Sequence, residues 1–292
     1  MSRAETVAAL HQARQQDGAE LLLRSPALQG SCGSDGQCAV GQLCEASPRT
    51  SSARFCQAPV RSSCSGCSLP VLMYHEVVAS APSGDQVSRE QFAEHLDWLR
   101  ANGYRSLRLD QAVRYLLTGR SPYRGSKLVL LTFDDAYAGN FSRAFPELRD
   151  RQMHAVFFAH TGVNRAVSER HMTWEQLRAV QASGWVEVHS HTRSHPSGLG
   201  NLSAERIDAE YRGALEDFRR QGLGHSMEIA YPEGSYSALS KQIAARYHRS
   251  GFRVASAPAL LTADPLAIPR IGINATTTTA VLSGLLARAP VN

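Results

Sequence analysis

The chain has 292 residues, a formal net charge of +5 and 43% hydrophobic residues. At roughly 100–200 residues per domain this allows one large domain or two modest ones, and the apolar fraction excludes wholesale disorder. No apolar run approaches the ~20 residues of a membrane-spanning helix. The 31 basic residues, of which only Lys127 and Lys241 are lysines, are spread without a block and give no reason to expect a nucleic-acid partner.

Residues 1–30 are polar. Met1 to Arg24 contains Glu5, Gln12, Gln15, Gln16, Asp17 and Glu20, and residues 4–23 predict a weakly amphipathic helix. All six cysteines then fall between Cys32 and Cys67, spaced C-x5-C-x5-C-x11-C-x7-C-x2-C. No His lies among them and Cys64-x2-Cys67 is the one close pair, so residues 31–68 read as a disulfide-rich module rather than a zinc site. Six cysteines allow 15 connectivities, and the sequence does not choose among them. Disulfides imply an extracellular, periplasmic or cell-surface setting. The first residues lack the apolar centre of a signal peptide, which leaves the export route open.

From Leu69 the texture becomes alternating. Strands are expected at Pro70–Tyr74, Leu128–Phe133, Ala155–Ala159, Trp185–Val188, Met227–Tyr231, Phe252–Ser256 and Ile268–Ile271, several as continuous apolar runs suited to parallel strands. Helices are expected between them. Phe92, Leu96 and Leu99 mark one face. Thr173 with Gln176 resembles a capping box, and Ile207, Tyr211, Leu215 and Phe218 follow Ser203. Ala238–Ser250 and Thr278–Arg288 complete the series. Seven βα units over residues 69–292 predict a barrel-like α/β domain.

In such a domain chemistry gathers at the carboxyl ends of the strands. There the sequence places His75-Glu76, Asp134-Asp135, His189-Ser190-His191 with His195, and Pro232-Glu233-Gly234. Adjacent carboxylates diverge, so one can hold a metal while the other acts on a neighbouring water; Asp134 as a helix cap is the alternative. His191 and His195, four apart, suit two ligands of one ion, though two surface histidines share that spacing. With an Asp they make the open N2O set of a catalytic zinc ion.

These residues carry a family resemblance. Leu131-Thr132-Phe133-Asp134-Asp135 resembles the TFDD motif of the polysaccharide deacetylases (the NodB-homology family). Glu187 to Pro196 (EVHSHTRSHP) resembles the second motif, and Ala230-Tyr231-Pro232-Glu233-Gly234 a variant of the third. Leu72-Met73-Tyr74-His75-Glu76-Val77 and Ile268-Pro269-Arg270-Ile271 are similar to segments of a subgroup that includes extracellular poly-N-acetylglucosamine deacetylases. The resemblance implies a distorted (β/α)7 barrel that hydrolyses acetyl groups on an acetylated polysaccharide. It implies Asp135, His191 and His195 as ligands of a divalent metal, zinc first, with cobalt or nickel as alternatives. Asp134 would be the general base, and the backbone N–H of Glu233 would face the oxyanion.

Four departures stand out. Ala230 replaces an orienting Arg, for which Arg270 is the candidate substitute. Glu233 replaces an aromatic. His189 replaces a Gly and reads as a buried, hydrogen-bonded histidine. No His follows His248 to serve as general acid, which leaves His75, or Asp134 after it has taken a proton. Two other readings stay open: an O-acetyl esterase on xylan or a similar glycan, and a carbohydrate-binding protein with a degenerate site. In either, the cysteine-rich module would suit attachment to the cell envelope or a glycan.

Overall fold

The computed structural model describes residues 43–46, 54–57, 68–123, 125–163, 169–224, 228–261 and 264–287. The chain divides into two compact units, residues 1–59 and 60–292. In the first, Leu43–Ala46 pairs antiparallel with Arg54–Gln57, setting Cys44 opposite Cys56 in the register. The expected N-terminal helix and the disulfide framework lie outside the described residues.

The second unit is built on eight strands: β1 (Val71–Tyr74), β2 (Tyr104–Ser106), β3 (Lys127–Phe133), β4 (Ala155–Ala159), β5 (Val186–Ser190), β6 (Glu228–Ala230), β7 (Ser250–Ala255) and β8 (Ile268–Gly272). The pairing runs β1-β8-β7-β6-β5-β4-β3 and returns from β3 to β1, so seven parallel strands close into a barrel. The short β2, unforeseen from the sequence, adds to the first half of β3, through Tyr104↔Lys127 to Ser106↔Val129. Closure is thinnest between β5 and β6, where Ser190↔Ile229 is the sole paired position.

Helices α1 (Arg89–Ala101), α2 (Leu109–Thr118), α3 (Phe145–Asp150), α4 (Trp174–Ala182), α5 (Ala204–Arg220), α6 (Ala238–Ala244) and α7 (Thr279–Ala287) accompany the barrel. Reciprocal capping boxes start α1 at Ser88 with Gln91, and α4 at Thr173 with Gln176. Phe92, Leu96 and Leu99 of α1 are fully buried. Phe92 meets Tyr74 edge-on at 5.2 Å, and Tyr74 stacks on Phe133 at 5.1 Å, so the alternate faces of β1 and β3 seal the outer core. Full burial of each such side chain contributes about 1.5–3 kcal/mol.

Three expectations need correction. The helix expected over Ala238–Ser250 ends at Ala244, because the chain must turn there to bring Ser250 beside Glu228 in the parallel ladder. On α5 Ala214 is buried while Leu215 is half-buried. Between β7 and β8 the described residues contain no helix, so the units are not uniformly βα. Among the described residues no helix is long and apolar enough to cross a membrane.

Candidate active site

The carboxyl end of β3 continues one residue past its formal limit, as the Asp134 N–H donates to the Tyr74 carbonyl at 3.0 Å. Asp134 therefore projects from the ladder into the barrel mouth, 3% exposed. There the Arg270 guanidinium, from the middle of β8 and itself 0% exposed, donates to both carboxylate oxygens at 2.6 and 2.7 Å. Arg270 also lies over the Phe158 ring at 5.6 Å and donates to Thr132 Oγ1 at 3.4 Å. Burial works against the charge on Asp134, but Arg270, with His191 and His75, outweighs it and holds the carboxyl well below the usual range.

Past Asp134 the backbone turns left-handed, with φ of 65° at Asp135 and 52° at Ala136. This aims the second carboxylate away from Arg270. Asp135 Oδ1 lies 3.7 Å from His191 Nε2 and 3.6 Å from His195 Nε2, and the ligand atoms of the three residues all fall within 4.8 Å of one another. Tetrahedral coordination with bonds of ~2.0–2.1 Å sets ligand atoms about 3.3–3.4 Å apart, so a small inward movement would fit the set to one ion.

The two imidazoles are held differently. The Nδ1–H of His191 donates to the Ala230 carbonyl at 2.8 Å, which leaves the Nε2 lone pair for Asp135's side of the cleft. Burial lowers the pKa of His191 despite both carboxylates, so the ring is neutral, as a ligand must be. His195 is carried by a loop with φ of 66° at Thr192 and 53° at His195 itself. Glu210 on α5 fixes that loop, accepting from the N–H groups of Arg193 (3.0 Å) and Ser194 (2.8 Å) and from the Ser194 hydroxyl (2.6 Å).

His75 follows β1 at the same rim. It lies within electrostatic reach of both Asp134 and Asp135. Buried Asn140, in the single π-turn Asn140–Ala144, clamps this corner by donating to the His75 carbonyl at 2.8 Å and accepting from Val77 N–H at 3.2 Å. The Nδ1 of His75 is buried without a hydrogen-bond partner among the described residues. Glu233, at φ 56°, turns its carboxylate sideways to accept from Ser197 Oγ at 3.0 Å and Gly198 N–H at 3.4 Å.

His189 is buried with its Nδ1 3.1 Å from Glu228 Oε2; burial opposes its charge, but Glu228 raises its pKa. Sequence reasoning missed a third side of the mouth. His160, directly after β4, lies 5.8 Å from His195 and 5.0 Å from His171, which stacks on Tyr137 at 5.2 Å. The strand-end rule that picked out His75 and Asp134 applies equally to His160, whereas His171 arrives through a bridge to Tyr137 between two loops.

Comparison with known proteins agrees with this architecture. Residues 122–251 match the polysaccharide deacetylase family. The protein YxkH of Bacillus subtilis is 31% identical over 170 residues, 58% of each chain. The poly-beta-1,6-N-acetyl-D-glucosamine N-deacetylase of Escherichia coli K12 is 36% identical over 124 residues, 38% of this chain and 18% of that protein. The matches thus span less than two thirds of either relative. Among solved structures, the Streptococcus pyogenes deacetylase PplD in complex with acetate superposes with a TM-score of 0.70 at 24% identity, covering 77% of this chain and 100% of that one. Over residues 122–251 the chain thus carries a match to the polysaccharide deacetylase domain, within the fold that PplD shares.

Proposed function

We propose that the protein is a metal-dependent hydrolase that removes N-acetyl groups from a polysaccharide containing N-acetylglucosamine. The observation that carries this reading is the convergence of Asp135, His191 and His195 beside a separate carboxylate, Asp134, which is locked by Arg270. The two nitrogens and one oxygen suit zinc, with cobalt or nickel as alternatives. When bound, a divalent ion there would lower the pKa of water toward ~7 and polarise the acetyl carbonyl.

The protein's own groups divide the remaining work. Asp134, kept ionised and oriented by two guanidinium bonds, takes the proton of the attacking water. The backbone N–H of Glu233 faces the developing oxyanion, while its carboxylate, engaged with Ser197 and Gly198, is drawn aside from a charge it would repel. His75, whose buried Nδ1 has no hydrogen-bond partner among the described residues, delivers a proton to the departing nitrogen. Acetate leaves and the amine stays on the sugar. Poly-β-1,6-N-acetylglucosamine is the first substrate to test, from the name of the Escherichia coli relative. The clustered cysteines support a setting outside the cytosol, with residues 31–68 as a disulfide module and attachment region.

The test is metal analysis of the purified protein together with acetate release from poly-β-1,6-N-acetylglucosamine, chitin oligomers and acetylxylan. Bound metal at one equivalent and acetate from an N-acetyl polymer, lost in Asp134→Asn, are the expected results. Acetate from acetylxylan alone would make it an esterase. Glycan binding without acetate release in the presence of metal would make it a binding protein.

A further inference from the structure

The amino ends of the barrel strands, remote from the catalytic rim, enclose a second cleft. Its volume is about 770 Å³, within the range of small-molecule sites, and it sits among the end of α1, β2 and the turns leading into β3, β4 and β5. No acidic side chain lines it among the described residues. Three arginines do. Arg151 is already held by Asp97 at 2.8 Å and by Glu147. Arg100 and Arg105 are exposed and supply the surplus positive charge. Arg100, in the last turn of α1, has a bland explanation as a complement to the helix dipole. Arg105 stands on β2 between buried Tyr104 and Ser106, with its guanidinium over the Tyr123 ring at 6.0 Å.

The walls are flat and aromatic. Trp185 is half-exposed at the mouth, backed by the His154 ring at 5.0 Å. Such a ring offers its face to the C–H surface of a sugar while the cations take an acidic substituent. A third feature concerns the backbone. Where helices of this domain end in a left-handed residue, glycine occupies the position at Gly103, Gly119, Gly184 and Gly222. At the end of α3 the same position holds Gln152, at φ 55°, and Gln152 lines the cleft. A non-glycine residue in that conformation is strained.

We propose that this cleft binds an anionic sugar unit, a pyranose bearing a carboxylate or phosphate, through Arg100 and Arg105 with Trp185 as the stacking surface. The site is independent of the deacetylation chemistry, so its test does not depend on the reading of the catalytic rim. The ligands are a galacturonic acid trimer, glucose 6-phosphate, inorganic phosphate and neutral cellotriose, titrated into the full chain by calorimetry at low and high salt.

The expected result is salt-sensitive binding of the uronate or the sugar phosphate, at least tenfold tighter than of cellotriose or inorganic phosphate. The Arg100→Ala/Arg105→Ala double variant should lose at least tenfold for the anionic sugars. Trp185→Ala should lose the advantage of the sugar over inorganic phosphate. Both variants should keep the wild-type circular dichroism spectrum and the wild-type urea midpoint. Which anionic sugar binds identifies the acidic group. Cellotriose binding as tightly as the uronate, full affinity in the double variant, or binding of anionic phosphatidylglycerol vesicles with none of the sugars would each overturn the proposal.

Discussion

Replacing Arg270 by Met removes a guanidinium that is 0% exposed and donates to both oxygens of Asp134, leaving a carboxylate of 3% exposure without its counter-ion. Breaking one side of a buried pair costs about 3–5 kcal/mol, a large part of a typical stability of ~5–15 kcal/mol. The sign follows from the groups that remain. Without Arg270, burial becomes the dominant influence and the Asp134 pKa rises above its unfolded value. The folded variant then keeps its proton to higher pH than the unfolded chain, so its deficit relative to wild type shrinks as pH falls. The acid limb of the rate profile moves upward for the same reason. The assays are urea unfolding at pH 7 and pH 5 and the pH dependence of acetate release. A double variant, Asp134→Asn/Arg270→Met, should recover part of the loss because no buried charge remains. A stability change below ~1 kcal/mol in Arg270→Met, or a double variant less stable than the single one, would refute this account of the pair.

Asp135→Ala, His191→Ala and His195→Ala should each lose the metal by elemental analysis, while Asp134→Asn should retain it and lose about 10²–10⁴ in turnover. Metal at a hundredfold excess over its Kd should stabilise the wild type by about 2.7 kcal/mol, and the ligand variants should not respond. Glu210→Ala frees the loop that carries His195 and should weaken metal binding by ~10–100-fold in a chelator competition; unchanged affinity would assign Glu210 no part in holding the site. Burial, helped by His189, lowers the pKa of His248 from 6.5 to about 3. The unfolded chain therefore binds a proton below pH 6.5 that the folded chain refuses, a loss of about 2 kcal/mol at pH 5. His248→Phe should show that much less destabilisation between pH 7 and pH 5, measured by urea unfolding.

The seven barrel strands were legible because their burial is nearly continuous. The β3 stretch from Leu128 to Phe133 is buried throughout and reads as an apolar run. By contrast β2 is three residues with an exposed Arg105 at its centre, held by pairing with the start of β3 rather than by its own pattern. Helix α2 opens at Arg108, whose side chain makes no cap bond, so its start lacks the Ser, Thr, Asp or Asn signal; Gln111 accepts from the Arg108 N–H at 3.1 Å and Gly119 ends the helix. The short α6 shows the opposite failure: helical propensity continued past Ala244, and the register of Ser250 with Glu228 overruled it.

At the candidate site the residue types were legible and the backbone was not. Glu187 to Pro196 supplies both histidines, but their convergence on Asp135 requires left-handed conformations at Asp135, Thr192 and His195, where glycine would be the unstrained choice. Among the described residues, five of the seven non-glycine residues with positive φ, counting Ala136 and Glu233, lie at this rim. Each such residue costs about 1–2 kcal/mol, so the rim persists because neighbours over-determine it. Those neighbours are Asn140, which clamps the His75 corner, Glu210, which holds the Arg193–Ser194 backbone, and the Ala230 carbonyl, which orients His191. Ala230 makes the division plain. Its side chain is not the Arg that the motif resemblance leads one to expect, yet its carbonyl orients one histidine. The orienting charge arrives from β8, two strands further round the barrel, on Arg270. A motif compared residue by residue records this as a loss. In the folded barrel the orienting charge is retained, because the mouth sums what every strand delivers and not what any one segment contains.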